Sequence, residues 1–159
     1  MNDSEWVLIN GVKWATRNVD WSGTFVSNPE NYGNYYTWEQ AKIACPTGWR
    51  LPTETEMESL LNTTCVTNER ATRNGVNGRI FVDKVSGNSV FFPAAGTHLS
   101  PDGKFYLEGS SGYYWSSSVG NREHHYVGNG AIGLRFVDSS VFILNSDGAH
   151  KFSIRCVSQ

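Results

Sequence analysis

Apolar residues along this chain come in short bursts separated by Gly, Asn, Ser and Thr. The first two bursts, Trp6-Val7-Leu8-Ile9 and Val12-Lys13-Trp14-Ala15, flank Asn10-Gly11. Both central residues tolerate positive φ, so 6–19 predicts a hairpin. Residues 20–36 scatter aromatic side chains among Gly, Asn and Pro and predict irregular chain. Thr37-Trp38-Glu39-Gln40 is a capping box, in which the Thr hydroxyl takes the third amide and Gln reaches back. The helix it starts runs to about Cys45, where Pro46 and Gly48 stop it. Thr53-Glu54-Thr55-Glu56 is a second capping box, with acidic residues at the positive end of the helix dipole. Met57, Leu60 and Leu61 then recur at helical spacing as one buried stripe.

Residues 62–112 read as loops with short strands near 80–85 and 89–92, closed by Pro93-Ala94-Ala95-Gly96. After Tyr113-Tyr114-Trp115 come three candidate strands at 131–137, 141–144 and 152–157. Alternation puts Leu134 and Phe136 on one face, Arg135 and Val137 on the other. Phe152, Ile154 and Cys156 likewise share a face. No internal repeat and no linker interrupts the chain. The expected architecture is one domain, 1–159, of α+β class. It has two short helices early, a loop-rich second half and a small antiparallel sheet.

Composition narrows the function classes. A domain of 159 residues needs no metal to fold. Aromatic residues are 13% and charged residues 18%, which excludes a disordered chain. The net charge is −2 and no Lys/Arg cluster occurs, so nucleic acid is not the expected partner. No apolar run approaches the ~20 residues of a membrane span, so membrane insertion is not expected. The opening Met1-Asn2-Asp3-Ser4-Glu5 has neither a basic nor an apolar segment, so no signal peptide is visible. Cys45, Cys65 and Cys156 fit no zinc spacing. They leave either one disulfide and one thiol, or a fully reduced chain.

Candidate chemistry is sparse. There is no Gly-x-Ser-x-Gly elbow and no His-Glu-x-x-His helix. Glu54, Glu56 and Glu58 serve the helix start. His124 and His125 follow Glu123, with His98 and His150 elsewhere. Adjacent histidines on a strand point to opposite faces, so surface recognition is favoured over a metal, and no metal is expected. Asp138, Asn145 and Asp147 have the residue types of a loop cation site. Trp49, Trp115, Tyr113 and Tyr114 either stack on a sugar or pin the core, and the core is favoured. No enzyme activity and no cofactor are expected.

Several stretches together carry a family resemblance. They are Ile9-Asn10-Gly11-Val12-Lys13-Trp14-Ala15-Thr16, Tyr35-Tyr36-Thr37-Trp38-Glu39-Gln40-Ala41 and Cys45-Pro46-Thr47-Gly48-Trp49-Arg50-Leu51-Pro52-Thr53. Further on come Phe91-Phe92-Pro93-Ala94-Ala95-Gly96, Gly112-Tyr113-Tyr114-Trp115-Ser116-Ser117-Ser118 and Ser153-Ile154-Arg155-Cys156-Val157. The chain resembles the Fibrobacter succinogenes major paralogous domain over nearly its whole length. That resemblance implies a C-type-lectin-like fold. It also implies kinship with the variable proteins of diversity-generating retroelements in gut bacteria and their phages. In those proteins the last part of the chain is mutagenised at adenines and forms a ligand-binding face. Here the corresponding span is about 119–151.

Adenine mutagenesis of AAY codons cannot yield Lys, Glu, Gln, Trp or Met. None of the five occurs in 124–150, although 24 of the other 132 residues belong to them. At that rate about five would be expected in this window. The resemblance thus implies a binding protein of receptor or adhesin type, displayed on a cell surface or a phage virion. Its partner would be a protein or glycan on another cell or host surface. The residues expected to bind, outward on the terminal sheet and its loops, are His124, His125, Tyr126, Ile132, Gly133, Arg135, Val137, Ser140, Phe142, Asn145, Asp147 and His150. In C-type lectins a disulfide joins the elements that hold Cys45 and Cys156. That pair is therefore either a bond or two buried thiols. The calcium-binding Glu-Pro-Asn and Gln-Pro-Asp tripeptides of sugar-binding C-type lectins are absent. Two other readings stand beside the first: a fixed cell-surface or pilus adhesin module, and an oxidase of the formylglycine-generating type.

Overall fold

A computed structural model describes residues 5–99, 102–120 and 130–159. Asn10 and Gly11 take φ of 46° and 81°, and the chain reverses there. Strand β1 (Trp6–Ile9) pairs antiparallel with β2 (Val12–Ala15), Ile9 opposite Val12. Both capping boxes form in both directions and start α1 (Trp38–Ala41) and α2 (Glu54–Leu61). α1 is a single turn that buries Trp38 and Ala41, and α2 buries Met57 and Leu60. A short strand β3 (Trp49–Arg50) lies between them.

The stretch 62–112 holds far more strand than its sequence predicts. β4 (Val66–Arg73) and β5 (Val76–Asp83) form a hairpin around Asn74-Gly75, whose φ are 49° and 80°. β6 (Ser89–Pro93) adds to β5. β4 is an edge strand and buries only Val66. A strand wet on most of its surface needs no apolar alternation, so its polar run conceals it. β7 (Thr97–His98) pairs with β8 (Phe105–Tyr106). β9 (Gly112–Val119), β10 (Gly130–Phe136) and β11 (Val141–Asp147) form a sheet with β10 central. β12 (Val157–Ser158) closes a sheet with β1, β2 and β3.

These observations overturn the α+β, C-type-lectin-like fold expected from the sequence. The described residues are 46% strand and 9% helix. Their strands lie in four small antiparallel sheets, and the two helices are too short to form a layer. The strand expected at 152–157 shrinks to Val157–Ser158. Phe152 and Ser153 make only isolated bridges to Tyr36 and Tyr114.

Two apolar clusters hold the elements together. One gathers Trp14, Met57, Leu60, Phe81, Phe92, Tyr114, Leu134 and Phe136. The other gathers Trp38, Trp49, Leu51, Trp115, Phe152, Ile154 and Cys156. A disulfide joins Cys45 to Cys156, with Cα atoms 6.1 Å apart across a sequence separation of 111. This decides between the two readings of that pair. A loop of that length makes the bond worth about 4–5 kcal/mol in the chain-entropy model. Cys65 is a half-buried free thiol.

Candidate functional site

The expected binding residues sit on or beside the β9–β10–β11 sheet, whose register decides which of them face outward. Arg135 stands opposite Tyr113 on β9 and Phe142 on β11. Alternation turns Tyr114, Leu134, Phe136, Val141 and Ile143 into the first cluster. Arg135, Tyr113 and Phe142 therefore share the other face. The Arg135 guanidinium lies 4.9 Å over the Tyr113 ring and 5.7 Å from the Phe142 ring. Tyr113 is buried beneath it, while Phe142 is 38% exposed. Arg135 Nε finds no hydrogen-bond acceptor among the described residues. Burial raises the Tyr113 hydroxyl above its ordinary range, and the guanidinium partly offsets this.

The rest of the expected set divides between the two ends of the sheet. Val137 and Ser140 lie in the tight turn from β10 to β11, closed by Val137 N–H donating to Ser140 O at 2.9 Å. Asn145 and Asp147 lie at the opposite end, where Asp147 pairs with Gly130. The His150 amide donates to Asp147 O at 3.3 Å. Seven strand residues separate the ends, about 23 Å. Gly120 and Gly130, which flank the segment 121–129 in the sequence, meet at the Asp147 end, where Gly120 N–H donates to Gly130 O at 2.7 Å. His124, His125 and Tyr126 lie in that segment, outside the described residues.

Two of the expected residues face inward. Ile132 is only 8% exposed. Gly133 is buried because a Cβ there would lie 2.8 Å from Tyr114 O and 3.4 Å from Phe152. The signal that misplaced them was register, which apolar alternation in a strand with two covered faces cannot fix. Asp138 is at the turn end and pairs with Arg70 at 3.8 Å, so it does not meet Asn145 and Asp147. Among the described residues no three His, Cys, Asp or Glu side chains converge on one point.

The aromatic candidates are core. Trp49, Trp115, Tyr113 and Tyr114 are all buried. Trp115 Nε1 donates to Tyr36 O at 2.7 Å, and the Tyr114 hydroxyl donates to Pro93 O at 2.7 Å. The serines after Trp115 tie the sheet to neighbouring elements. Ser116 Oγ donates to Ile132 O at 2.6 Å, Ser117 N–H to Pro52 O at 2.8 Å, and Ser118 Oγ accepts the Glu54 amide at 2.9 Å. The β9–β10–β11 sheet is thus braced against the start of α2 by its own motif.

Sequence reasoning missed a shallow groove of about 390 Å³ beside α1. Trp21, Asn34, Tyr36, Gln40, Ile43 and Lys151 are among its lining residues. The available signal was Trp21 itself, a large aromatic residue in a Gly- and Asn-rich irregular segment. A second groove, of about 400 Å³, is lined by Lys42, Arg50, Leu51, Thr53 and Ser117. None of the described residues expected to bind lines either groove.

The family model described as the Fibrobacter succinogenes major domain matches residues 15–158. No curated protein and no solved structure matches the chain.

Proposed function

The chain belongs to the Fibrobacter succinogenes major domain family, and from that premise we propose that it is a binding protein of receptor or adhesin type. Its binding face is the Phe142 end of the β9–β11 side that carries Tyr113, Arg135 and Phe142, whose other residues, Trp115 and Ala131, pack in the second cluster. The observation that carries this reading is Arg135, its guanidinium laid between the Tyr113 ring and the part-exposed Phe142 ring. A guanidinium framed by aromatic rings on a braced sheet is a typical hot-spot arrangement. The partner is a protein or glycan on another cell or host surface, and the chain is displayed on a cell or a virion. Absence of five residue types from 124–150 supports the further reading that this face is diversified by a retroelement.

The fixed adhesin module remains the second reading, favoured if the face does not vary. The oxidase reading needs a reactive cysteine pair. Cys45 and Cys156 are bonded to each other, Cys156 is fully buried, and neither cysteine lines a described groove. That geometry favours a structural bond.

The test is binding of labelled protein to a panel of intact bacterial strains, wild type against the double variant Arg135→Ala/Phe142→Ala. Binding falls at least about tenfold in the variant, because hot-spot side chains carry most of an interface's energy. The melting temperature falls only a few degrees, since about 1–2 kcal/mol of ring and cation contact is lost. Undiminished binding, or a variant that no longer folds, contradicts the assignment of this face.

A further inference from the structure

The groove beside α1 shares no residue with the sheet face and carries features that folding does not require. Trp21 is 72% exposed and Ile43 is 81% exposed. The turn bearing Trp21 is held by backbone bonds and by two side chains, Thr24 Oγ1 donating to Trp21 O at 2.8 Å and Ser22 Oγ to Ile43 O at 3.4 Å. Asp20 N–H donates to Thr24 O at 2.9 Å, Thr24 N–H to Trp21 O at 2.9 Å, and Gly23 N–H to Ala44 O at 2.8 Å. Gly23 has φ of 87°, which a residue without Cβ adopts freely. The indole therefore projects from a pinned turn and is packed into neither core cluster.

Polar groups surround it. Asn34 Nδ2 donates to Asp20 Oδ1 at 3.0 Å, and the Tyr36 hydroxyl donates to Asp20 O. Gln40 uses Oε1 to accept the Thr37 amide at 3.0 Å, which leaves its NH₂ for a ligand. Lys151 is fixed by two backbone bonds with His98, at 2.8 and 3.0 Å. Its ammonium pairs with no carboxylate among the described residues.

We propose that this groove binds an acidic sugar, whose ring stacks on Trp21 while its carboxylate or sulfate meets Lys151 Nζ. A sugar ring presents C–H groups on one face and hydroxyls around its rim. It matches a flat exposed indole set among amide and hydroxyl groups. The volume of about 390 Å³ suits a small ligand, and the unpaired ammonium selects for an anion. An extended peptide fits less well. Tyr36 and Phe152 already exchange both backbone bonds, as do Lys151 and His98, so no strand edge is open to it.

The test is calorimetric titration of the full chain with 3′-sialyllactose and with a hyaluronan tetrasaccharide, using lactose as the neutral comparison. At least one acidic sugar binds, and lactose binds at least about tenfold more weakly. Trp21→Ala weakens the acidic sugar by about tenfold or more, with the melting temperature within about 2 °C of wild type. Lys151→Met abolishes the preference for the acidic sugar, and Arg135→Ala changes nothing. Ile43→Ser, also exposed, carries the same test if Trp21→Ala melts early. The proposal is overturned if neither acidic sugar binds up to about 10 mM, if lactose binds equally well, or if binding survives Trp21→Ala. Because Arg135→Ala spares this site and Trp21→Ala spares the sheet face, failure here leaves the sheet reading intact.

Discussion

Two arginines of this chain have opposite tasks. Arg155 is fully buried, and desolvation pulls its guanidinium down to about 10, so it stays cationic at neutral pH. Its Nε donates to Asn18 Oδ1 at 2.8 Å, its Nη1 to Ala15 O at 3.3 Å, and it lies 4.4 Å over the Phe92 ring. It therefore joins β2 to the terminal segment and is structural. Arg135 is half-buried between two rings, and the proposed task of its guanidinium is to meet a partner. A third guanidinium, Arg50, grips Glu56 at 2.6 and 2.8 Å. The Arg50 hydrogen bond is the first cause holding the Glu56 carboxyl below its ordinary 4.5, helped by the Thr53 amide. A depressed carboxyl contributes stability that is complete above its unfolded value and lost as pH falls through the folded one. Both side chains are partly exposed, so screening limits the effect to about 1 kcal/mol. Glu56→Gln should lower the melting temperature at pH 7 by about 2–4 °C. The gap to wild type should close as the pH is taken below 4. Melting curves at pH 7 and pH 3 check this, and an equal gap at both contradicts it.

At the level of elements, the strongest single test is Gly112, the first residue of β9. It stands opposite Phe136, and a Cβ there would lie 2.2 Å from that ring. Phe136 is buried in the first cluster and cannot move aside. Gly112→Ala should cost about 2–3 kcal/mol, or about 4–12 °C in melting temperature. A variant melting with wild type contradicts the register of β9 on β10. What was legible in the sequence at this scale was local chemistry. The Asn10-Gly11 turn and both capping boxes were readable because a few neighbouring residues determine each. The β4–β5 hairpin was not read, although Asn74-Gly75 carries the same turn signal, because the strands beside it are polar and edge-exposed. That omission is much of why an α+β fold was expected where strands dominate. At the site, alternation put Arg135 and Phe142 among the outward residues, and the register makes them cross-strand partners. Ile132 and Gly133 were misassigned because β10 is covered on both faces and alternation cannot distinguish them. The groove of Trp21 was missed because it is assembled from 21–22, 34–43 and 151, which only tertiary contact brings together.

On the scale of the whole molecule, the chain divides into a packed scaffold and the face proposed to bind. Two apolar clusters, the Cys45–Cys156 bond and the serines after Trp115 fix the sheet, and the proposed face is the part of it around Arg135 and Phe142. Such a scaffold accommodates change on its outer face because exposed substitutions away from packing shift stability within about ±0.5 kcal/mol. The central claim is that this face exists to bind and is diversified to do so. The measurement that tests it most directly is deep sequencing of the gene and its flanking DNA from a population of cells. The account predicts a nearby near-copy of the codons for 119–157, and substitutions confined to positions where that copy carries adenine. Those positions should include Arg135, Phe142 and residues within 121–129, while the codons for Tyr114, Leu134 and Phe136 stay constant. A locus with no near-copy and no variation, or variation falling on the buried residues, contradicts a diversified binding face.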